Sequence, residues 1–432
     1  KVLRNAGTSG EVGNDALEIY YSASRDNSAR KESGANVNRN ILNELPHGFY
    51  GDNPAGIWRP VKLTVSEPLK VEDVFIRPRL DGADFDIAVY NHSAEPRKFD
   101  IRTKIADHRT GKILYEGTDR TGLTLAAGGK DSLTYSINDL QPKLWSPSDP
   151  NLYDFTFSLV DNGKTVDSEK IVSGFRTFEV NNGQFELNGH KYALRGGNHT
   201  PFALGPNDRE LADTFYQLMK KGNLEVTRTH TCPYNELWMA AADENGIGVS
   251  YEGTWSWLYI HETFPADDIV DFWENEWIHL MKQMRNHPSL LFWTVNNEMK
   301  FYDLDPDFER CKYKMTRISN CVRHMREADP TRPVCFDSNY QAKGKDKKFG
   351  ADFMTTIDDG DIDDVHSYIN WYDHTLFRYF KGELQNGFKL ADRPLISQEM
   401  STGYPQNETG HATRSYTCLL YTSPSPRDYA AS

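Results

Sequence analysis

Cysteine is scarce in this 432-residue chain: there are five, at positions 232, 311, 321, 335 and 418. Their number is odd and no two have C-x-x-C spacing, which excludes a disulfide scaffold and a structural zinc site. Positive charge is also in deficit. Lys and Arg total 49 against 62 Asp and Glu, a formal net charge of −13. That balance argues against a nucleic-acid partner or an anionic membrane surface. No long apolar run exists. The longest, around Ser289 to Val295, is far short of the ~20 residues that span a bilayer. There is no internal repeat and no dinucleotide-type glycine fingerprint. What is abundant is aromatic side chain, 12% of residues, too much for a disordered chain. An enzyme or a binder of neutral ligands, with two to four domains at the usual ~100–200 residues each, fits what is left.

The texture changes along the chain. Residues 1–66 read as all-β, with period-two alternation in Leu17–Tyr21 and Val61–Val65 around a long polar loop, Arg25 to Asn43. Residues 67–178 carry seven short strand signals, at 71–80, 84–90, 98–106, 113–117, 132–137, 154–160 and 168–172. Turn signals separate them, a spacing that predicts an immunoglobulin-like β-sandwich. From 179 to 417 short apolar runs alternate with amphipathic helical stretches. The runs are 192–195, 225–228, 248–251, 290–293, 333–336, 364–366 and 394–397; the helices are 208–221, 236–245, 269–286 and 307–329. This alternation predicts a parallel sheet closing as a (β/α)8 barrel, with its eighth strand missing. Residues 418–432, with Pro and Ser punctuation where a helix should return to the sheet, are expected to be a non-native tail.

Chemistry in a barrel sits at the C-terminal ends of its strands. Glu298 closes the fourth run and Glu399 the seventh. Two carboxylates facing each other across one cleft are what glycoside hydrolysis requires, one to protonate the leaving oxygen and one to attack the anomeric carbon or activate water. A single strand-end Glu is more often a salt bridge or a cap; two at opposing strand ends point to catalysis. Asn198 and His199 follow the first run, Arg228 and His230 the second, and Glu252 the third, where it could bind a sugar hydroxyl or pair with Arg228. Asp337 and Asn339 follow the fifth, and His366 and Tyr368 the sixth. Trp255, Trp257 and Tyr259 form an aromatic cluster that could wall a sugar subsite or simply pack. The run Asp358 to Asp364 holds five Asp without calcium-loop spacing and is expected to be a solvated loop.

The segment Arg285-Asn-His-Pro-Ser-Leu-Leu-Phe-Trp-Thr-Val-Asn-Asn-Glu298 resembles the acid/base signature of glycoside hydrolase family 2, with Thr294 where Gly or Ser is usual. Asn223 to Pro233 resembles the family's strand-two signature. Gly56 to Val61, Leu144 to Tyr153, Gly174-Phe-Arg176 and Leu187-Asn-Gly189 with Leu194-Arg-Gly196 match in order. The resemblance implies a multidomain β plus α/β fold: a partial jelly-roll β-sandwich cut at its start, the immunoglobulin-like sandwich, and a TIM barrel lacking its last strand. It implies a retaining exo-β-glycosidase, best read as acting on β-D-galactosides, with β-glucuronidase and β-mannosidase as alternatives. Glu298 would be the acid/base, Glu399 the nucleophile, Asn297 a donor to the sugar 2-hydroxyl, Arg228 the cation beneath the nucleophile and Tyr368 its hydrogen-bond partner. Burial beside Trp293 and a neighbouring carboxylate are expected to raise Glu298. Lys300 could meet a sugar carboxylate in a glucuronidase. No cofactor or metal is expected. The partner expected is an oligo- or polysaccharide, in a periplasmic or secreted setting by family analogy, with homo-oligomerisation allowed. The competing class is a non-catalytic carbohydrate-binding protein or an inactive fragment.

Overall fold

A computed structural model describes residues 63, 65–198, 202, 205–230, 233–253, 257–366 and 393–399. The all-β reading of residues 1–66 falls almost wholly outside these residues, as do His199, Trp255, Tyr368 and residues 418–432.

Seven strands form first: β1 Leu69–Pro78, β2 Ala83–Asn91, β3 Arg97–Asp107, β4 Ile113–Leu125, β5 Lys130–Ile137, β6 Tyr153–Asp161 and β7 Lys164–Ser173. They build a three-stranded sheet, β1-β2-β5, and a four-stranded sheet, β4-β3-β6-β7. Burial in β2 alternates strictly, so Phe85, Ile87 and Val89 face Ile101, Phe155 and Phe157 of the other sheet in one core. Such alternation is what a sheet with one wet face demands. The edge strand β7 is largely polar, with Lys164, Asp167, Glu169 and Lys170 along it, which blunts edge-to-edge pairing. β4 runs eight residues beyond the expected 113–117, to Leu125.

A hairpin, β8 Phe178–Asn181 and β9 Gln184–Leu187, follows. Then come parallel strands β10 Gly196–Gly197, β11 Val226–Arg228, β12 Gly248–Glu252, β13 Leu290–Thr294 and β14 Val334–Cys335, hydrogen-bonded in that order. A second parallel pair is β15 Asp363–His366 with β16 Leu395–Glu399. A single bridge from Cys335 to Ile362 connects the two groups. Asn198 Nδ2 donates to the Gln398 carbonyl (3.0 Å), linking the first strand's end to β16. Among the described residues the barrel is open. Every residue of β12 and β13 is buried, the mark of parallel strands covered on both faces. Ser250, Thr294 and Gln398 meet inside: Ser250 Oγ donates to Gln398 Oε1 (2.6 Å) and lies 3.2 Å from Thr294 Oγ1.

The helices α1 Arg209–Lys221, α2 Glu236–Asn245, α3 Asp267–Met284 and α4 Phe308–Ala328 cover the outside. Asp208, Asn235 and Asp307 cap α1, α2 and α4 through their side-chain oxygens. Gly246 ends α2 at φ +67°, where a Cβ would fall 2.3 Å from the Pro147 carbonyl; only glycine allows that approach.

The first barrel strand lies later than the expected 192–195. Tyr192 and Leu194 instead pack with Phe178, Phe185 and Phe292 in a separate core beneath the sheet, so their apolar character belongs to the hairpin. The sandwich docks through the loop before β13. Asn286 donates to the Val74 carbonyl (2.8 Å) and accepts from Ile76 N (2.9 Å), Arg285 pairs with Asp73 (2.6 Å), and buried Arg176 donates to the Pro288 carbonyl (3.0 Å). Sandwich and sheet therefore share the segment that leads to Glu298. No helix among the described residues is long and apolar enough to cross a membrane.

Candidate active site

Arg228, at the end of β11, is the hub. It is 4% exposed and touches three side chains. Nη1 donates to Glu399 Oε1 (2.8 Å), Nη2 to Asn297 Oδ1 (2.6 Å), and both Nε (2.7 Å) and Nη2 reach Glu252 Oε2. Shared between two carboxylates, the guanidinium is held above its ordinary pKa despite burial. Glu252 has no exposure, and its other oxygen has no hydrogen-bond partner among the described residues. Burial pushes this carboxyl up to about 7, against the pull of Arg228. Of the two roles open to Glu252, pairing with Arg228 is the one the structure displays.

Glu399 closes β16 beside two imidazoles. His230 Nε2 is 2.9 Å from Oε1 and His366 Nδ1 is 3.4 Å from Oε2. Burial pushes the Glu399 carboxyl up, but the His230 hydrogen bond and the charges of Arg228, His230 and His366 outweigh it. The group is held far below the usual carboxylate range.

Glu298 follows β13 with a left-handed backbone, φ +49°. A non-glycine residue adopts this only where its surroundings enforce it. Here its N–H donates to the Ser338 carbonyl (2.9 Å), and the next amide, Met299, donates to Asp337 Oδ2 (2.9 Å). Glu298 Oε1 meets His366 Nδ1 at 2.7 Å and Lys300 Nζ at 2.8 Å. Burial raises this carboxyl, but those two partners more than reverse it and hold it at about 2. The expected upward shift of Glu298 is therefore corrected, and the reason is its pairing with a near neighbour, Lys300, and a distant residue, His366. Trp293, expected to desolvate it, points the other way: its indole donates to Asp329 (2.9 Å) and packs against Trp277.

Around the pair, Asn297 is buried, and its Nδ2 has no partner among the described residues. The Asn297 carbonyl accepts from Trp257 N (3.0 Å), placing the start of the aromatic loop beside the site, with Trp257 itself at φ +64°. Tyr259, by contrast, is fully buried against Phe301. Lys300 is engaged by Glu298 rather than held free for a ligand. The acidic run is not a solvated loop: Asp358 and Asp361 clamp Arg326, Asp359 pairs with Arg393, and buried Asp364 accepts from Ser338, Asn339 and Gln398. The structure thus brings together Glu298, Glu399, Asn297, Arg228, His230, Glu252 and His366. Asn198 reaches the site through its bond to the Gln398 backbone carbonyl.

One ligand atom each from Glu298, His366 and Glu399 lie within 4.8 Å of one another. The pattern could hold a cation, but Arg228 and Lys300 already set positive charge directly against both carboxylates. A divalent ion would have to displace the His366 contacts and face that charge, so the donor set fits a carboxylate pair better than a metal cage.

A β-sandwich followed by a parallel β/α sheet with two glutamates at facing strand ends defines a class of multidomain barrel proteins with a carboxylate-lined mouth. The chain belongs to the glycosyl hydrolases family 2: the family's TIM barrel domain matches residues 178–424, and a second domain described as glycosyl hydrolases family 2 matches 69–176. Among curated relatives, a beta-galactosidase of Alteromonas mediterranea is 28% identical over 261 residues, 56% of this chain and 24% of that protein. One of Pseudoalteromonas haloplanktis is 30% identical over 258 residues, with the same shares, 56% and 24%. The chain spans about a quarter of the length of these relatives. Of solved structures, a Bacteroides uniformis beta-glucuronidase superposes with a TM-score of 0.64 at 22% identity, covering 78% of this chain and 42% of that one. A family 2 beta-galacturonidase from Eisenbergiella tayi, bound to galacturonate, gives 0.61 at 18%, covering 79% and 59%. These likenesses show the fold, β-sandwich domains leading into a TIM barrel.

Proposed function

We propose that this chain carries the active site of a retaining exo-β-glycosidase that removes terminal β-D-galactosyl residues from oligo- or polysaccharides. The observation that carries the reading is the close pairing of Glu298 and Glu399, with ligand oxygens within 4.8 Å. Carboxyl groups about 5–5.5 Å apart suit double displacement, whereas inversion needs about 6.5–9.5 Å to admit a water. The choice of galactoside is supported by the beta-galactosidase names of the curated relatives. A glucuronidase reading is disfavoured at one point: Lys300, a cation beside the pair that could have met a sugar carboxylate, is engaged by Glu298.

Glu399 is the nucleophile in this reading. Arg228 and His230 keep it ionised through Oε1, and in this reading Oε2, beside His366, attacks the anomeric carbon. Glu298 protonates the leaving oxygen, then takes a proton from the water that opens the glycosyl ester. Asn297, its Nδ2 buried without a partner among the described residues, is a donor for the sugar 2-hydroxyl, and Arg228 holds it through Oδ1. His366 contacts both carboxylates. In domain terms the reading takes 67–178 as an immunoglobulin-like domain and 179–417 as the catalytic barrel; the jelly-roll expectation for 1–66 lies outside the described residues. A panel of aryl β-D-galactoside, β-D-glucuronide and β-D-mannoside tests the sugar. A 2-fluoro galactoside tests the chemistry: a stable mass adduct on the peptide holding Glu399, lost in Glu399→Gln, is expected. Binding of several sugars without any adduct would instead make this a carbohydrate-binding protein.

A further inference from the structure

The turn that carries Glu298 is left-handed twice. Glu298 and Lys300 both have φ +49° and neither is glycine, a backbone that persists only where its surroundings enforce it. The segment after β14 supplies the enforcement. The Ser338 carbonyl accepts the Glu298 N–H (2.9 Å), and Asp337 Oδ2 accepts the Met299 N–H (2.9 Å). The same Asp337 oxygen reaches the far end of the turn, where the Tyr302 hydroxyl lies 2.9 Å away. Tyr302 belongs to the short helix Phe301–Leu304 and is buried against Phe301 and Tyr340. Asp337 itself has no exposure. Its proton can be counted. The Tyr302 hydroxyl also lies 2.7 Å from the Asn339 carbonyl. A hydroxyl has one hydrogen and a carbonyl can only accept. That hydrogen serves one of the two contacts in line, and a second hydrogen for the other can come only from the Asp337 carboxyl. Asp337 Oδ1 agrees: it is buried with no hydrogen-bond partner among the described residues, which is far costlier for an ionised carboxylate than for a neutral acid.

We propose that Asp337 is the positioning residue of the acid/base carboxyl: as a buried neutral acid it ties the turn from Glu298 to Tyr302 to the end of β14, and so aims Glu298 into the cleft. The proposal rests on the reading of Glu298 as the acid. Asp337 acts through the Met299 amide and the Tyr302 hydroxyl and meets no substrate. Its neutrality serves the role in two ways. A neutral acid grips with an acceptor and a donor at once, which an acceptor-only carboxylate cannot do. It also sets no further negative charge behind Glu298 and Glu399. The groups that face it are Tyr302 and Met299 from the turn, Glu298 ahead of the turn and Glu252 on β12. Burial raises its carboxyl well above the ordinary value, and the charges of Glu252 and Glu298 add to this, against the pull of the Tyr302 and Met299 hydrogen bonds. The neighbouring Asn339 extends the hold, since its Oδ1 accepts the His366 N–H (2.9 Å). One buried stretch, residues 337–339, thus fixes the backbone of both Glu298 and the histidine that touches it.

The test uses phenyl and 2,4-dinitrophenyl glycosides of the sugar the parent cleaves fastest. Phenolate needs a proton to leave and dinitrophenolate does not. In the full chain, Asp337→Ala is expected to lower kcat/KM on the phenyl substrate about 100-fold, the scale of a catalytic group displaced by about 1 Å. The dinitrophenyl substrate should change less than about threefold. Equal losses on both would overturn the proposal and leave Asp337 a structural residue. Asp337→Asn stays neutral and keeps an acceptor for Met299, so it should remain within about tenfold of the parent on the phenyl substrate, the scale of one neutral hydrogen bond. The alkaline limb of its pH profile should not move. An ionised Asp337 would have raised Glu298, so a limb moved to lower pH in Asp337→Asn would refute the neutral acid. The proton is read directly by infrared difference spectroscopy of parent minus Asp337→Asn at neutral pH, where the C=O stretch of a protonated carboxyl is expected; a carboxylate band in its place would also refute it. Glu298→Gln is the control: if it fails to separate the two substrates, the acid assignment itself is wrong.

Discussion

Glu252→Gln isolates the electrostatics of the Arg228 hub. The Glu252 carboxyl is fully buried and raised from its usual 4.5 to about 7. The sign follows from linkage. A carboxyl with a folded pKa above its unfolded one binds its proton more tightly in the native state. Its contribution is fully present below pH 4.5 and is lost as pH rises through 7. The whole difference, about 2.5 pKa units, is worth roughly 3 kcal/mol. Between pH 5 and pH 8 the part that changes is about 2.5 kcal/mol. Gln mimics the protonated acid in shape and charge, so it lacks this loss. Any pH-independent effect of the amide cancels when the variant-minus-parent difference is compared at the two pH values. At about 2–4 °C per kcal/mol for a domain of this size, the Tm difference should shift by about 5–10 °C in favour of Gln from pH 5 to pH 8. Thermal melts followed by tryptophan fluorescence measure it. Melting curves of parent and variant that stay parallel over this range would mean that Glu252 is ionised throughout, with Arg228 satisfying it, and the reasoning would fail.

Lys300→Met removes one of the two donors on Glu298, so this carboxyl should rise from about 2 toward its ordinary range. The alkaline limb of kcat/KM should move to higher pH, and an unchanged pH profile would show that Lys300 does not act on Glu298. Arg176→Met strips the buried Pro288 carbonyl of its donor at 3.0 Å. It should destabilise the chain by about 2–4 kcal/mol, seen as a lower Tm; an unchanged Tm would mean that the docking contact contributes nothing. Trp257→Gly relieves a left-handed bulky residue, φ +64°, worth roughly 1 kcal/mol. It also removes the ring of a residue whose backbone N–H bonds the Asn297 carbonyl (3.0 Å). KM should rise severalfold with Tm unchanged or higher; a falling Tm with constant KM would make the ring a packing residue.

The sandwich was legible because each strand obeys one local rule, apolar alternation between turn signals, and the residues that satisfy it belong to one core. All seven expected strands exist. The barrel strands with long apolar runs were legible too, but the first was displaced. Tyr192 and Leu194 are as apolar as a strand requires, and nothing local says that their partners are Phe178 and Phe185. The Arg285-Asn286-His287-Pro288 segment has a similar ambiguity. As sequence it reads as a preface to Glu298. In the fold it holds the sandwich against the sheet, through Asn286 to Val74 and Arg285 to Asp73.

Site membership and site electrostatics differ in the same way. Which residues stand at the mouth follows from which residue ends each strand, a local property, and Glu298, Glu399, Arg228, His230 and His366 could be read off on that basis. The direction of the Glu298 shift could not. It depends on Lys300, two residues on in the chain, and on His366, 68 residues away and on a different strand. Desolvation and a neighbouring carboxylate push a carboxyl upward, which was the expectation. Two hydrogen-bonded cationic or cation-forming partners on one oxygen reverse it. His366 is itself held from a third place, since its Nε2 lies 2.8 Å from Ser338 Oγ, which donates to Asp364. The charge on Glu298 is therefore a property of three strand ends at once. Single-position reading finds each residue and still misses the charge they share.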